Sequence, residues 1–151
     1  MKRTILFLCT GNYYRSRFAE ELFNHLALER GLNWRATSRA LAIEKGKWNI
    51  GPISPHARIA LQQRSIPLAE PLRDPIGCCE GDLVSAARII AMKEAEHRPY
   101  IIERHPAWAD RVEYWHVHDL DRASADAALG DIEAKVRELV ESIGADSTCD
   151  S

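Results

Sequence analysis

Six residues near the start, Thr4-Ile5-Leu6-Phe7-Leu8-Cys9, form an almost unbroken apolar run that stops short of Gly11-Asn12. Such a run suits a strand buried on both faces, as strands of a parallel sheet are when helices cover both sides. Basic Lys2-Arg3 before it gives the look of a secretory leader. No small-residue cleavage site follows in register, so a first strand is expected, and a cytoplasmic location with it. The longest apolar runs fall far short of the ~20 residues that span a bilayer, so no membrane is expected among the partners.

The rest of the chain repeats the strand-then-helix alternation. Phe18, Phe23, Leu22 and Leu26 lie on a helical stripe after Ser16, which can cap that helix, and Arg30-Gly31 ends it. Trp34 to Ser38 reads as a second strand, and residues 39–55, with Gly46, Gly51, Pro52 and Pro55, as a loop. Pro55 to Arg64 is a short helix, and Pro67 to Gly81 is irregular. Arg88 to Met92 is a third buried strand. Lys93 to His105 is helical in composition, with Pro99 expected to break or kink it. Val112 to Val117 is a fourth strand, and Ala123 to Ile143 a helix with Ile132, Val136, Leu139, Val140 and Ile143 on one face. This order predicts an α/β fold, a small open parallel sheet of about four strands with helices on both faces. With 151 residues the chain makes one domain. It is expected over residues 1–143, followed by a polar tail at 144–151. Twenty basic against 22 acidic residues give a net charge of -2, which argues against a nucleic-acid partner.

In open α/β sheets the site lies at the carboxyl ends of the strands. Two segments there carry chemistry, Cys9 to Ser16 and His116 to Asp121. In Cys9-Thr10-Gly11-Asn12-Tyr13-Tyr14-Arg15-Ser16 a cysteine ends a buried strand, a tight loop follows, and an arginine precedes a helix. Backbone N–H groups of such a loop form an anion nest, and the helix dipole adds positive potential. Arg15 offers a planar fork that fits two oxygens of a phosphate. The same field stabilises a thiolate, which makes Cys9 a nucleophile. The C-x5-R spacing alone is a weak signal; its context of strand, Gly-Asn, Ser and helix carries the reading. No G-K-[ST] follows, which excludes a Walker-type nucleotide loop.

These residues resemble the low-molecular-weight protein tyrosine phosphatases. Phe7-Leu8-Cys9-Thr10-Gly11-Asn12, Arg15-Ser16 and Ala19-Glu20 look like that family's N-terminal motif. Trp48-Asn49-Ile50-Gly51 is similar to its variable substrate-rim loop, Ile89 to Met92 to its third strand, and Trp115 to Leu120 to the strand end that supplies its acid. The resemblance implies hydrolysis of phosphotyrosine or a small aryl phosphate through a cysteinyl-phosphate, with no metal and no cofactor. It implies Cys9 as nucleophile, Arg15 as phosphate clamp and Asp119 as general acid. Residues Thr10 to Arg15 bind the phosphate, Asn12, Ser16 and Ser38 hold the loop in shape, and Trp48 forms a rim wall. The family usually writes Asp-Pro where this chain has His118-Asp119-Leu120-Asp121, so Asp121 stays a second candidate acid. Tyr14 stands where a second cysteine is frequent, and Arg17 where a proline is usual. Lys93 stands where an aspartate is common. Tyr13 stands where relatives have Ile or a small residue, threonine there going with phosphoarginine substrates. The resemblance thus leaves the natural substrate open.

Three rival readings are kept. The first is a thiol-coupled arsenate reductase of the same fold, for which Cys78-Cys79 falls in roughly the relevant region but lacks the spacing of a disulfide relay. The second is a non-catalytic phosphate-binding module without a working acid. The third is a metal site at His116-x-His118-Asp119, which shows no third convergent ligand.

Overall fold

The computed structural model describes residues 2–68, 70, 72–119 and 124–149. β1 (Arg3–Cys9), β2 (Trp34–Ala40), β3 (Arg88–Ala91) and β4 (Glu113–Tyr114) form one sheet in the order β2-β1-β3-β4. Every neighbouring pair is parallel, with Cys9 opposite Ala40 and Phe7 opposite both Ser38 and Ile90. The alternation of side chains along β1 splits the core in two. Ile5, Phe7 and Cys9 face a cluster with α1 (Arg15–Glu29), α2 (Pro55–Gln63) and α5 (Ala125–Cys149). Leu6 and Leu8 face a second cluster with Leu83 of α3 (Glu80–Ser85) and Ile101 of α4 (Glu94–Arg104). Both faces of β1 are therefore buried, as its unbroken apolar run requires, and the expected architecture is observed.

Several boundaries differ from the sequence expectation. β2 runs on to Ala40, because Arg39 and Ala40 stay in register with Leu8 and Cys9 of β1, and on its outer side the Ala40 N–H bonds the Ile76 carbonyl while Ala40's own carbonyl receives the Cys78 N–H, both at 2.8 Å. That partner segment is remote in sequence. A 3-10 turn (Ile43–Gly46) lies within the expected loop. α3 was not expected: its N-cap is Cys79, in a capping box with Asp82, and cysteine is not among the residues that usually signal a helix start. Pro99 lies inside α4 and does not end it. β4 keeps only two ladder residues, but Trp115 and Val117 still donate to Ala91 and Met92 of the third strand's end. α5 continues beyond Ile143 to Cys149. Ser16 does not cap α1: Tyr14 occupies the cap position with no side-chain cap bond. Ser16 has been taken by the loop instead, as described next.

Candidate active site

The chain leaves β1 at Cys9 and enters α1 at Arg15, so the whole C-x5-R segment is one turn between a central strand and a helix N-terminus. A cavity of about 260 Å³ opens over it, lined by Cys9, Thr10, Gly11, Tyr13, Tyr14, Arg15, Asn49, Ser54 and Asp119. Asn12 turns the loop with φ of 53°, a left-handed conformation that asparagine tolerates better than most residues. Its buried amide is fully used. Nδ2 donates to Ser16 Oγ (2.9 Å) and Ser38 Oγ (2.8 Å), and Oδ1 accepts from Arg73 Nη1 (3.0 Å) and the Ile76 N–H (3.1 Å).

These bonds set a direction. Ser38 passes its hydrogen to Glu20 Oε1 at 2.6 Å. Ser16, already receiving from Asn12, can turn its own hydrogen to Cys9 Sγ, 2.9 Å away, and does so when the sulfur is a thiolate with no hydrogen to give. The sulfur thus sits at the end of a chain of donors, beside a helix N-terminus.

Arg15 is 2% exposed. Its Nη1 donates to Glu96 Oε1 (3.1 Å) and the Val117 carbonyl (3.0 Å), and its Nη2 to Glu96 Oε2 (2.6 Å). Asp119 Oδ2 lies 3.6 Å from Nη2, and the Asp119 side chain is 45% exposed. Glu96 also accepts from Thr10 Oγ1 at 2.5 Å and lies 3.1 Å from His97 Nε2. Although burial opposes the charge, the His97 and Arg15 hydrogen bonds hold the Glu96 carboxyl well below the usual carboxylate range. His97 is wholly buried. Its Nδ1 receives the Lys93 N–H at 3.0 Å, which leaves Nε2 as the protonated nitrogen. Burial lowers its pKa, so the ring is neutral.

The aromatic walls are latched from outside. Tyr13 donates its hydroxyl to the Ile50 carbonyl at 2.6 Å, while its own carbonyl receives the Ser54 N–H at 2.9 Å. Tyr14 packs edge-on to His56, with ring centroids 6.4 Å apart. Burial first, then the nearby Asp119 charge, pushes its phenol up to about 12.

The predicted residues Cys9 to Ser16, Ser38 and Asp119 therefore converge. Trp48 does not join them in the cavity lining: its ring is 84% exposed, 5.4 Å from Lys47 Nζ, and Asn49 is the rim-loop residue that reaches the cavity. Asp121 lies outside the described residues. Cys78 and Cys79 sit beyond the edge of β2 and at the cap of α3, outside the cavity lining. Lys93 Nζ lies 2.7 Å from His118 Nδ1, and the His116 and His118 rings meet edge to face. Among the described residues no group of three or more His, Cys, Asp or Glu could hold a metal ion.

Sequence reasoning missed Glu96, His97, Ser54 and Arg73, and within the rim loop it singled out Trp48 rather than Asn49. Glu96 was within reach of the strand-end rule, being in the first turn after the strand next to β1. Arg73 carried no local signal. Arg17 proves to be a buried tie, its Nη1 donating to the carbonyls of Pro52 (2.7 Å) and Arg73 (3.1 Å). It joins two loops that flank the cavity and its supports.

A cysteine that ends the central strand of a β2-β1-β3-β4 parallel sheet and an arginine that opens the next helix give the chain the frame of a small phosphatase. The chain belongs to the low molecular weight phosphotyrosine protein phosphatase family, whose model matches residues 4–148. Over 111 residues it is 30% identical to a protein-arginine-phosphatase of Bacillus subtilis, covering 72% of this chain and 67% of that protein. It is 28% identical to a low molecular weight protein tyrosine phosphatase from Bacillus subtilis whose solution structure it matches with a TM-score of 0.73, over 95% of this chain and 99% of the other. The crystal structure of YfkJ from Bacillus subtilis shares the fold at 23% identity, with a TM-score of 0.81 over 97% of both chains. Among the described residues no helix is long and apolar enough to cross a membrane.

Proposed function

We propose that the chain is a protein tyrosine phosphatase, hydrolysing aryl phosphate monoesters through a phosphocysteine. The observation that carries this reading is the cavity shared by Cys9, Arg15 and Asp119, which Tyr13 and Tyr14 also line. The Cys9 thiolate attacks phosphorus, the S–P bond forms, and the bond to the leaving phenolate oxygen breaks. That oxygen takes the proton of Asp119. Water then attacks phosphorus and gives a proton to Asp119, while the S–P bond breaks to release phosphate and the thiolate. Loop N–H groups and the Arg15 fork stabilise the charge that spreads over the equatorial oxygens. Ser16 donates to the sulfur when it leaves, and Asn12 and Ser38 hold Ser16 and the loop in place.

A second reading takes phosphoarginine as substrate, and the 30% identity to a protein-arginine-phosphatase favours it. Against it stands Tyr13, a bulky wall fixed to the rim loop by its hydroxyl.

The test is hydrolysis of peptides carrying phosphotyrosine, phosphoarginine or phosphoserine by wild type and Cys9→Ser, which is expected to lose nearly all turnover. The phosphotyrosine peptide is expected to turn over fastest. Asp119→Asn is expected to lose about 100-fold or more in kcat with a poor leaving group and much less with a good one, since a good one needs little protonation. Faster hydrolysis of the phosphoarginine peptide would select the second reading. Equal losses with both leaving groups would move the acid role away from Asp119.

A further inference from the structure

The proposed reaction gives Glu96 no role, yet three residues hold its carboxylate. Arg15 meets both its oxygens, and Thr10 and His97 approach Oε2. The bond from Thr10 ties it to the phosphate loop itself. Its backbone stands in the first turn of α4, and the next residue, His97, is pinned to the Lys93 N–H just before that helix. The carboxylate is thus a fixed object, 28% exposed and supported from behind.

A guanidinium can be gripped along two edges, end-on through Nη1 and Nη2 or side-on through Nε and Nη2. Glu96 takes the end-on edge of Arg15 with both oxygens, and the Val117 carbonyl takes the other Nη1 hydrogen. The Nε–H and the second Nη2–H are taken by neither Glu96 nor Val117, and the nearest carboxylate on that side, Asp119 Oδ2, stands 3.6 Å from Nη2, beyond hydrogen-bond distance. These two N–H groups form a parallel pair that matches two phosphoryl oxygens. An anion facing a phosphate-binding arginine weakens the attraction for free phosphate. A module built only to bind an anion is better without it. What the carboxylate supplies is orientation: it confines the guanidinium to one plane before substrate arrives.

We infer that Glu96 is a positioning residue for phosphoryl transfer. It holds the end-on edge of Arg15 so that the side-on edge meets the equatorial oxygens of the transferring group, at some cost to the binding of phosphate itself. The inference rests on the phosphatase reading above. Orientation matters most when the oxygens spread into the equatorial plane, so the benefit falls in the transition state and the electrostatic cost in the ground state. The two effects have opposite signs, and kinetics can separate them.

The experiment measures kcat for an aryl phosphate and inhibition by inorganic phosphate, in wild type, Glu96→Gln, Glu96→Asp, Arg15→Lys and the double variant Arg15→Lys/Glu96→Gln, with Cys9→Ser as control. Glu96→Gln puts an amide nitrogen against an arginine N–H and removes the charge. It is expected to lose about 10- to 100-fold in kcat, while phosphate inhibits as well as before or better. In the Arg15→Lys background the same change is expected to cost little more, because its effect passes through the arginine fork. Glu96→Asp keeps the charge but is shorter; it is expected to lower kcat and leave phosphate inhibition unchanged, and it carries the test if Glu96→Gln does not fold. Unchanged kcat in either Glu96 variant overturns the inference. So does phosphate inhibition that weakens in step with kcat, or an undiminished loss in the Arg15→Lys background, which marks a merely structural role. Retained turnover in Cys9→Ser removes the phosphatase reading, and this inference with it; a dead Cys9→Ser beside a fully active Glu96→Gln removes the inference alone.

Discussion

At the scale of single residues the site depends on which way hydrogen bonds point. Asn12 donates toward Ser16 and Ser38 and accepts from Arg73 and Ile76, so its amide has one correct orientation. Asn12→Asp keeps the size and the tolerance of positive φ, which separates polarity from shape. An oxygen then faces both serines, and each must turn its hydrogen toward it. Ser16 withdraws its donor from Cys9, and a negative charge enters beside the loop. We predict slower alkylation of Cys9 by iodoacetamide at neutral pH and a loss of about tenfold or more in kcat/KM, on the scale of one removed charge-assisted hydrogen bond. Alkylation and turnover both at wild-type rates would show that the direction of this chain does not matter.

At the scale of elements the informative case is the outer edge of β2. An open edge strand presents unpaired N–H and C=O groups, and proteins cover them. Here the cover comes from three sources. The Asn24 side chain in α1 accepts the Ala36 N–H at 2.7 Å and donates to the Ala36 carbonyl at 3.0 Å, acting as one residue of a missing strand. Arg73 donates to the Ser38 carbonyl at 3.1 Å. Ile76 and Cys78 pair with Ala40. Asn24→Ala should lower stability by about 1–3 kcal/mol, the usual cost of stranding backbone polar groups. A denaturant midpoint measures it, and faster hydrogen exchange at the Ala36 amide locates it; no change in either would show that water replaces the asparagine at no cost. The same edge explains what the sequence could and could not reveal. β1 and α1 were legible because their signals are local, an apolar run and a 3.6-residue stripe. So was the convergence of Cys9, Asn12, Arg15 and Asp119, which lie at or just after strand ends. The extension of β2, the cap of α3 and the contribution of Arg73 were not legible. Each depends on a partner distant in sequence or on a cysteine doing a serine's work.

For the whole molecule, buried titratable groups near the site make stability depend on pH. His97 is held neutral, with a native pKa below the ordinary 6.5. The unfolded chain therefore binds its proton first. The stability gained from neutral His97 is fully present above about pH 6.5 and falls as pH drops toward the native pKa. Glu96 acts lower. Its native pKa is depressed, so its contribution persists above the unfolded value of 4.5 and is lost only as pH falls further. Between pH 7 and 5 the contribution of His97 changes more than that of Glu96. Urea denaturation over that range should show wild type losing stability more steeply than His97→Gln, whose amide keeps a donor toward Glu96 but cannot take up the proton. Parallel curves would mean that the ring gains its proton without unfolding the site.

The supports of the loop also fix when it can exist. Asn12 lies near the start of the chain, but both donors to its Oδ1, Arg73 and Ile76, lie more than sixty residues later. During synthesis β1, α1 and β2 can be complete, with Ser16 and Ser38 in place, while that oxygen still has neither partner. Bringing Ile76 back closes a long stretch of chain, which costs entropy that only the later contacts repay. The strand and helix that carry Cys9 and Arg15 are thus made early, and the bonds that hold the loop between them are acquired late: a half-made chain already holds the ends of the loop without holding its shape.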